Sequence, residues 1–244
     1  MSWPGTKQSA QLLVVVLCAL ALKLHYSMAS PDQLRWILAP TTALVELFSG
    51  SSFQFESYAG YMSNDHKFLI AASCAGVNFL ITAFLMLSLR TLLKGRSNAL
   101  SWRFIPLYMG LAYVTTVVAN TVRICVALRL QRLPDEVAWL NGNQLHRLEG
   151  IVVYFGFLLL LFLLTEKIST ENTTEFVRKI LFALVVYYAT TLAVPLIHGG
   201  YRYKEFFEHF AFVLVMPLMM TGLLVALRTI WTRVRSVPER GSVG

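Results

Sequence analysis

Residues 149–166 read EGIVVYFGFLLLLFLLTE, and this stretch carries no charged side chain between its terminal glutamates. An α-helix over the stretch would be about 27 Å long, close to the roughly 30 Å hydrocarbon core of a bilayer. Similar apolar runs occur at residues 10–29, 69–89, 104–129, 177–197 and 208–228. The sequence therefore predicts an all-α fold, a polytopic transmembrane helix bundle.

The overall composition points the same way. The 244 residues are 56% apolar and 14% charged, with a mean hydropathy of +0.59. Soluble chains carry about 25% charged residues, so a soluble enzyme is excluded. We expect one integral membrane domain over residues 1–235 and a flexible cytoplasmic tail at 236–244. We attribute the net charge of +8 to cytoplasmic loops, which collect Lys and Arg, and expect no nucleic-acid partner.

A weaker apolar run covers residues 34–48 and is interrupted by Pro40. Fifteen helical residues would span only about 22 Å, too short to cross the bilayer. We therefore expect a re-entrant or interfacial segment here, and about six to seven membrane segments in total. The run at 10–29 is interpreted as a retained signal anchor, because basic residues follow its apolar part.

The distribution of basic residues predicts the orientation. With the amino terminus inside and six spans, twelve Lys and Arg residues fall on cytoplasmic pieces and seven on external pieces. Because positive charge collects on the cytoplasmic side, we expect residues 90–103 and the tail after Arg228 inside. Residues 50–66 and 131–146 are then external, and so is any active site built from them.

Arg123 is costly where it lies, near the outer end of the 104–129 run. A charged side chain inside the bilayer costs several kcal/mol unless it faces protein or water. Asn120 precedes it by three residues and shares its helix face. Two interpretations have nearly equal weight for this residue alone: a functional guanidinium inside the bundle, or an arginine that snorkels to the outer interface.

Two further residues reach the same membrane surface. Cys74 begins the second full span, where helix amides favour a thiolate, and Asn78 follows one turn later. His146 stands just before the fourth span, where a hydrated surface histidine is the ordinary interpretation. Together Cys74, Arg123 and His146 supply a nucleophile, a proton carrier and an oxyanion stabiliser, the groups that acyl transfer needs.

No cofactor or metal is expected. The cysteines Cys18, Cys74 and Cys125 are an odd number without metal-ligand or redox spacing, and Cys18 and Cys125 fit as apolar fillers. The aromatic loop at residues 53–61 could form a short extended element over the site. Anchoring at the membrane interface is the favoured interpretation of its tyrosines.

These residues resemble the exosortases and archaeosortases, multi-pass membrane enzymes of prokaryotic protein sorting. The resemblance covers residues 36–166 and rests on Ser-Cys-Ala-Gly-Val-Asn-Phe at 73–79, Asn-Thr-Val-Arg-Ile at 120–124 and His146. It implies a cysteine peptidase or transpeptidase in the prokaryotic inner or cell membrane, with its active site facing the periplasm or exterior. The expected partners are membrane lipid and substrate proteins that end in a sorting motif, an apolar helix and a basic tail.

Carried over residue by residue, the resemblance implies that Cys74 is the nucleophile, His146 the proton carrier and Arg123 the stabiliser of the oxyanion. Asn78 and Asn120 are supporting residues. Many members have Ser after the cysteine, whereas this chain has Ala75, so a hydroxyl there cannot be essential. The form of the cysteine motif suggests the exosortase K-like subgroup.

Other function classes fit parts of the pattern. A membrane acyl- or lipid-transferase would use the same cysteine and histidine on a lipid. A transporter would place Arg123 on a polar path, although it commonly shows repeats or paired broken helices, which the sequence lacks. A non-catalytic scaffold for polysaccharide export is the third alternative. Loss of a substrate's carboxy-terminal helix separates a peptidase from most of these alternatives.

Overall fold

The computed structural model describes residues 6–94, 101–131, 142–166, 173–193 and 206–235, without the side chains of residues 142–146, 208 and 209 and of several residues at helix ends. Helices dominate this part of the chain. They are α1 (Thr6–Met28), α2 (Arg35–Ser49), α3 (Val77–Lys94), α4 (Phe104–Leu130), α5 (Gly142–Thr165), α6 (Thr173–Tyr188) and α7 (Phe206–Arg235). The predicted helical membrane bundle is confirmed at this level.

Among the residues that the structure describes, five helical stretches are long and apolar enough to cross a membrane. They are Thr6–Met28, Ala72–Lys94, Phe104–Leu130, Arg147–Thr165 and Phe210–Thr232, and each contains one of the predicted spans or most of it. The chain thus has the helices of a multi-pass membrane protein. For the predicted span at 177–197, the structure has α6 and a π-helical continuation over Ala189–Ala193, and residues 194–197 lie outside the described ranges.

The run at 34–48 forms the short helix α2. Its 15 residues include Pro40 inside the helix, and at 1.5 Å per residue it is about 22 Å long. Gly50 ends it in a left-handed conformation, with φ of 68° and its N–H donating to the Glu46 carbonyl. The side chains of Ile37, Leu38 and Val45 are buried, and α2 packs against α4.

A small antiparallel sheet departs from the all-α prediction. Strands β1 (Phe53–Glu56), β2 (Gly60–Ser63) and β3 (Leu69–Ile70) lie in the order β1-β2-β3. Aromatic pairs stabilise it, including Phe55 and Tyr61 with ring centroids 5.1 Å apart. Residues 53–61, for which a short extended element was the alternative to interfacial anchoring, therefore contain β1 and the start of β2.

The chain divides into two compact units, Met1–Phe162 and Leu163–Gly244. In the first unit, α4 packs against α2 and α3, and α3 packs against α1. Fully buried side chains include Leu38, Leu80, Phe84, Ile124 and Phe155. Since buried apolar area is the main stabilising term of such packing, α3 and α4 form the centre of this unit.

In the second unit, α6 packs against α7. The Lys179 ammonium is buried between two carboxylates, 2.8 Å from Glu175 and 3.9 Å from Glu166. The Arg228 guanidinium lies over the Phe176 ring, 4.2 Å from its centroid. These contacts hold charged side chains on protein partners inside a largely apolar unit.

Candidate functional site

Cys74 lies in a 3₁₀ turn over Ala72–Ala75. Ala71 before it is extended, with φ of −82° and ψ of 176°, and its carbonyl accepts the Cys74 N–H at 2.9 Å. The expectation that Cys74 occupies the first turn of the spanning α-helix is therefore wrong, because the turn ends at Gly76 and α3 begins at Val77. The helix dipole acts on the thiol from beyond its own first turn, where it is weaker.

Gly76 allows this break for two reasons. Its φ of +70° is a conformation that side chains rarely adopt, and it lies directly against α4 and α5. A Cβ atom there would lie 3.2 Å from Thr116 Cγ2, 3.3 Å from Tyr154 Oη and 3.5 Å from Asn120 Cγ. The glycine thus brings the cysteine turn into close contact with the two helices that carry the other polar groups.

Asn120 connects these elements. Its side chain is fully buried, its Nδ2 donates to the Cys74 carbonyl, and its Oδ1 accepts from Tyr154 Oη at 2.9 Å. The Tyr154 ring in turn stacks on Phe79, with centroids 5.0 Å apart and an interplanar angle of 16°. A buried amide that satisfies both of its ends fixes its partners firmly, so Asn120 anchors the backbone that carries the thiol.

Arg123 lies inside the first unit with only 9% of its surface exposed. Its guanidinium carbon is 5.4 Å from the centroid of the Tyr154 ring, and it interacts electrostatically with Cys74 and Glu149. A Cβ added to Gly150 would lie 3.8 Å from Arg123 Cδ, so α5 passes closely here. Within the described part of the chain, Arg123 Nε and Nη2 have no hydrogen-bond partner.

The polar cluster around Cys74, Asn120 and Arg123 includes three residues that the sequence did not single out. The Tyr154 hydroxyl donates to Asn120, and its ring lies under the Arg123 guanidinium. Glu149 is 8% exposed and interacts with Arg123. Tyr26 of α1 interacts with Cys74 and Arg123. A signal existed for Tyr154, the one side chain with a polar atom between residues 150 and 164. Glu149 and Tyr26 lie near the ends of apolar runs, where polar residues are ordinary.

The other two predicted site residues, Asn78 and His146, are not shown to join this cluster. Asn78 is exposed, and its Oδ1 accepts from Lys23 Nζ at 2.9 Å; no described contact joins it to the Cys74 turn. His146 belongs to the helical backbone of α5, but its side chain lies outside the described residues. The structure therefore brings together Cys74, Asn120 and Arg123.

No metal centre is evident in the described ranges, where no group of three His, Cys, Asp or Glu side chains could hold an ion. Cys18, Cys74 and Cys125 are free thiols. Cys74 is distinguished from the other two by its neighbours, because Arg123, Tyr26 and Tyr154 interact with it electrostatically.

A polar cleft of about 520 Å³ lies at the carboxy-terminal end of α4. It is lined by Ser51, Ser52, Ser63, Asn64, Asp65, Lys67, Phe68, Leu128 and Gln131. Ser63 Oγ donates to Asp65 Oδ1 at 2.6 Å, and this hydrogen bond holds the pKa of the Asp65 carboxyl below its usual value. The cleft therefore presents a carboxylate and the Lys67 ammonium near neutral pH.

Comparison of the chain with known protein families, with curated proteins and with solved structures finds no match.

Proposed function

We propose that this chain is a membrane cysteine peptidase or transpeptidase of the exosortase type, with Cys74 as its nucleophile. The observation that carries the proposal is the buried guanidinium of Arg123, which interacts with the Cys74 thiol and has unpartnered N–H groups among the described residues. The same N–H groups are suited to an oxyanion, which develops only during the reaction.

The positioning of Cys74 supports a reactive role for it. Nucleophilic catalysis requires a fixed attacking atom, since small misplacements cost large factors in rate. Asn120 and Gly76 both tie the cysteine turn to α4 and α5. A cysteine that only fills space would not need a fully buried amide on its backbone carbonyl.

His146 is the proposed proton carrier. Helical backbone extends to position 146 in α5, which precedes Gly150 by one turn, and Gly150 lies against Arg123. Residues four apart share a helix face, so position 146 lies on the same face of α5 as Gly150. Imidazole can take up and release protons near neutral pH.

The proposed reaction proceeds in two steps. The Cys74 thiolate attacks the scissile carbonyl carbon and forms a C–S bond, while Arg123 stabilises the negative oxygen. The C–N bond then breaks, and His146 gives its proton to the leaving amine, which departs with the substrate's anchor helix. Water or an acceptor amine attacks the thioester, loses a proton to His146 and releases the thiolate.

The proposed setting is a prokaryotic cell membrane with the amino terminus inside and the cluster near the external surface. The charge bias of twelve to seven supports this orientation. The proposed substrates are exported proteins that carry a sorting motif, an apolar helix and a basic tail. Their own helix would hold the scissile peptide at the depth of Cys74.

To test the proposal, the gene in the native cell is replaced by an allele that encodes Cys74→Ala. An allele that encodes Cys125→Ala is the matched control. Mass spectrometry of exported membrane proteins then measures whether each retains its carboxy-terminal helix. We expect a set of proteins that lose the helix in wild-type and Cys125→Ala cells and keep it in Cys74→Ala cells. Equal processing in all three strains would contradict the proposal. A change in lipid acylation without any change in processing would favour the transferase alternative.

A further inference from the structure

We propose that the free edge of strand β3 binds the substrate backbone as an added strand and so guides the scissile peptide to Cys74. The inference rests on the proposed function and adds the mode of substrate recognition. The edge consists of three backbone groups, the N–H and C=O of Leu69 and the N–H of Ala71.

The register of the sheet determines which groups point outward. Ser63 N–H donates to the Phe68 carbonyl at 2.9 Å, and the next pairs in register are Met62 with Leu69 and Tyr61 with Ile70. Antiparallel pairs alternate between hydrogen-bonded and non-hydrogen-bonded. Leu69 therefore falls in a non-hydrogen-bonded pair, and its N–H and C=O point away from β2.

Ala71 continues the same alternation. Its backbone is extended, and Gly60 lies opposite, where a Cβ would be 3.2 Å from Ala71 Cα. The Ala71 N–H therefore points to the same side as the two Leu69 groups. Among the residues that the structure describes, none hydrogen-bonds to these three groups, and β3 is the last strand of the sheet.

The edge is connected rigidly to the nucleophile. The Ala71 carbonyl accepts the Cys74 N–H at 2.9 Å, so the residue that ends the edge also begins the cysteine turn. Cys74 is therefore separated from the last edge group by a single 3₁₀ turn. A strand bound at Leu69 and Ala71 would pass close to the thiol without any rearrangement of the turn.

An extended peptide is the occupant that this edge fits. An open strand edge offers donors and acceptors at the spacing of a peptide backbone, which is how many domains bind extended peptides. The 37% exposure of Leu69 leaves the edge accessible. At its other end, β3 follows Phe68, which lines the polar cleft, so substrate residues before the scissile bond would reach the cleft.

The test uses acetyl-Ala-Ala-Ala chloromethyl ketone and its three mono-N-methyl analogues. The Cys74 thiolate displaces chloride from each, and peptide mapping measures the rate of alkylation. Backbone pairing predicts that N-methylation at one position, the peptide N–H that the Leu69 carbonyl accepts, slows alkylation of Cys74 by about tenfold, since that hydrogen bond is lost. Iodoacetamide, which has no peptide backbone, gives the intrinsic reactivity of the thiol.

The matched variants are Ala71→Pro, which removes the edge N–H at a φ that proline tolerates, and Ala71→Ser, which keeps it. We expect Ala71→Pro to slow alkylation by the unmethylated peptide by up to about tenfold relative to the iodoacetamide rate of the same variant, because a peptide carbonyl loses its donor. Ala71→Ser should keep the wild-type ratio of the two rates. Should Ala71→Pro fail to accumulate, the N-methyl series on the wild-type protein decides.

Equal rates for all four peptides would overturn the strand proposal. The helix-retention experiment in native cells reports on the proposed function separately. A wild type that processes exported proteins but shows no N-methyl effect retains the proposed function and loses only this mode of recognition.

Discussion

Asn120 donates a hydrogen bond from its side-chain amide to the backbone carbonyl of Cys74. This contact joins two residues that are 46 positions apart in the chain. It attaches the cysteine turn, Ala72–Ala75, to α4. The point of attachment is one helical turn from Arg123.

The first prediction concerns the support of Asn120. Tyr154→Phe keeps the ring that stacks on Phe79 and removes the hydroxyl that donates to Asn120 Oδ1. A buried acceptor then loses its partner, which costs about 1–3 kcal/mol, and Asn120 holds Cys74 less firmly. We expect both a lower melting temperature and processing reduced by about tenfold.

Tyr113→Phe is the matched control for that change. Tyr113 also donates to a carbonyl, that of Trp36 at 2.7 Å, and also stacks on an aromatic ring. Its loss should lower stability without reducing processing per folded molecule. If both variants retain the same specific activity, Tyr154 has only a structural role.

The second prediction concerns Gly76. Gly76→Ala introduces a side chain at φ of +70° and 3.2 Å from Thr116 Cγ2, and the left-handed conformation alone costs about 1–2 kcal/mol. We expect a clear loss of thermal stability and of processing. Gly110→Ala, with nothing within 4 Å of the added Cβ, should be neutral or slightly stabilising. Similar melting curves for the two variants would contradict the described turn.

The third prediction concerns Arg123. Arg123→Lys keeps a positive charge but replaces the planar fork by a compact ammonium. Lysine cannot present the same N–H groups to an oxyanion, so we expect processing to fall by about 10²-fold or more, a typical effect of losing such a donor. Arg103→Lys, at an exposed position, is the control. Near-normal processing by Arg123→Lys would leave only charge as the contribution of Arg123.

The sequence predicted the helical architecture because each span is encoded in its own apolar run. It also identified Cys74, Asn120 and Arg123, since polar residues in such runs are costly and few. It offered a short extended element at residues 53–61 but not a three-stranded sheet, because β3 has two residues and exists only through its pairing with β2. Glu149 and Tyr26 were missed because their roles depend on contacts between helices, which no local pattern encodes.

The fourth prediction tests orientation. Cysteines are introduced in place of Ser57, at the exposed hairpin between β1 and β2, and of Ser101, at the exposed start of α4. The charge bias predicts that a membrane-impermeant maleimide labels the first in intact cells and the second only after permeabilisation. Labelling of the Ser101 position from outside would invert the topology and place the cluster in the cytoplasm.

The most direct test of the central claim is capture of the acyl-enzyme. Hydroxylamine added to active membranes attacks a thioester and releases the passenger protein with a carboxy-terminal hydroxamate, which mass spectrometry identifies. We predict hydroxamate products from wild-type membranes and from Cys125→Ala, and none from Cys74→Ala. Hydroxamate formed by Cys74→Ala, or cleavage by the wild type without any hydroxamate, would contradict the assignment of Cys74 as the nucleophile.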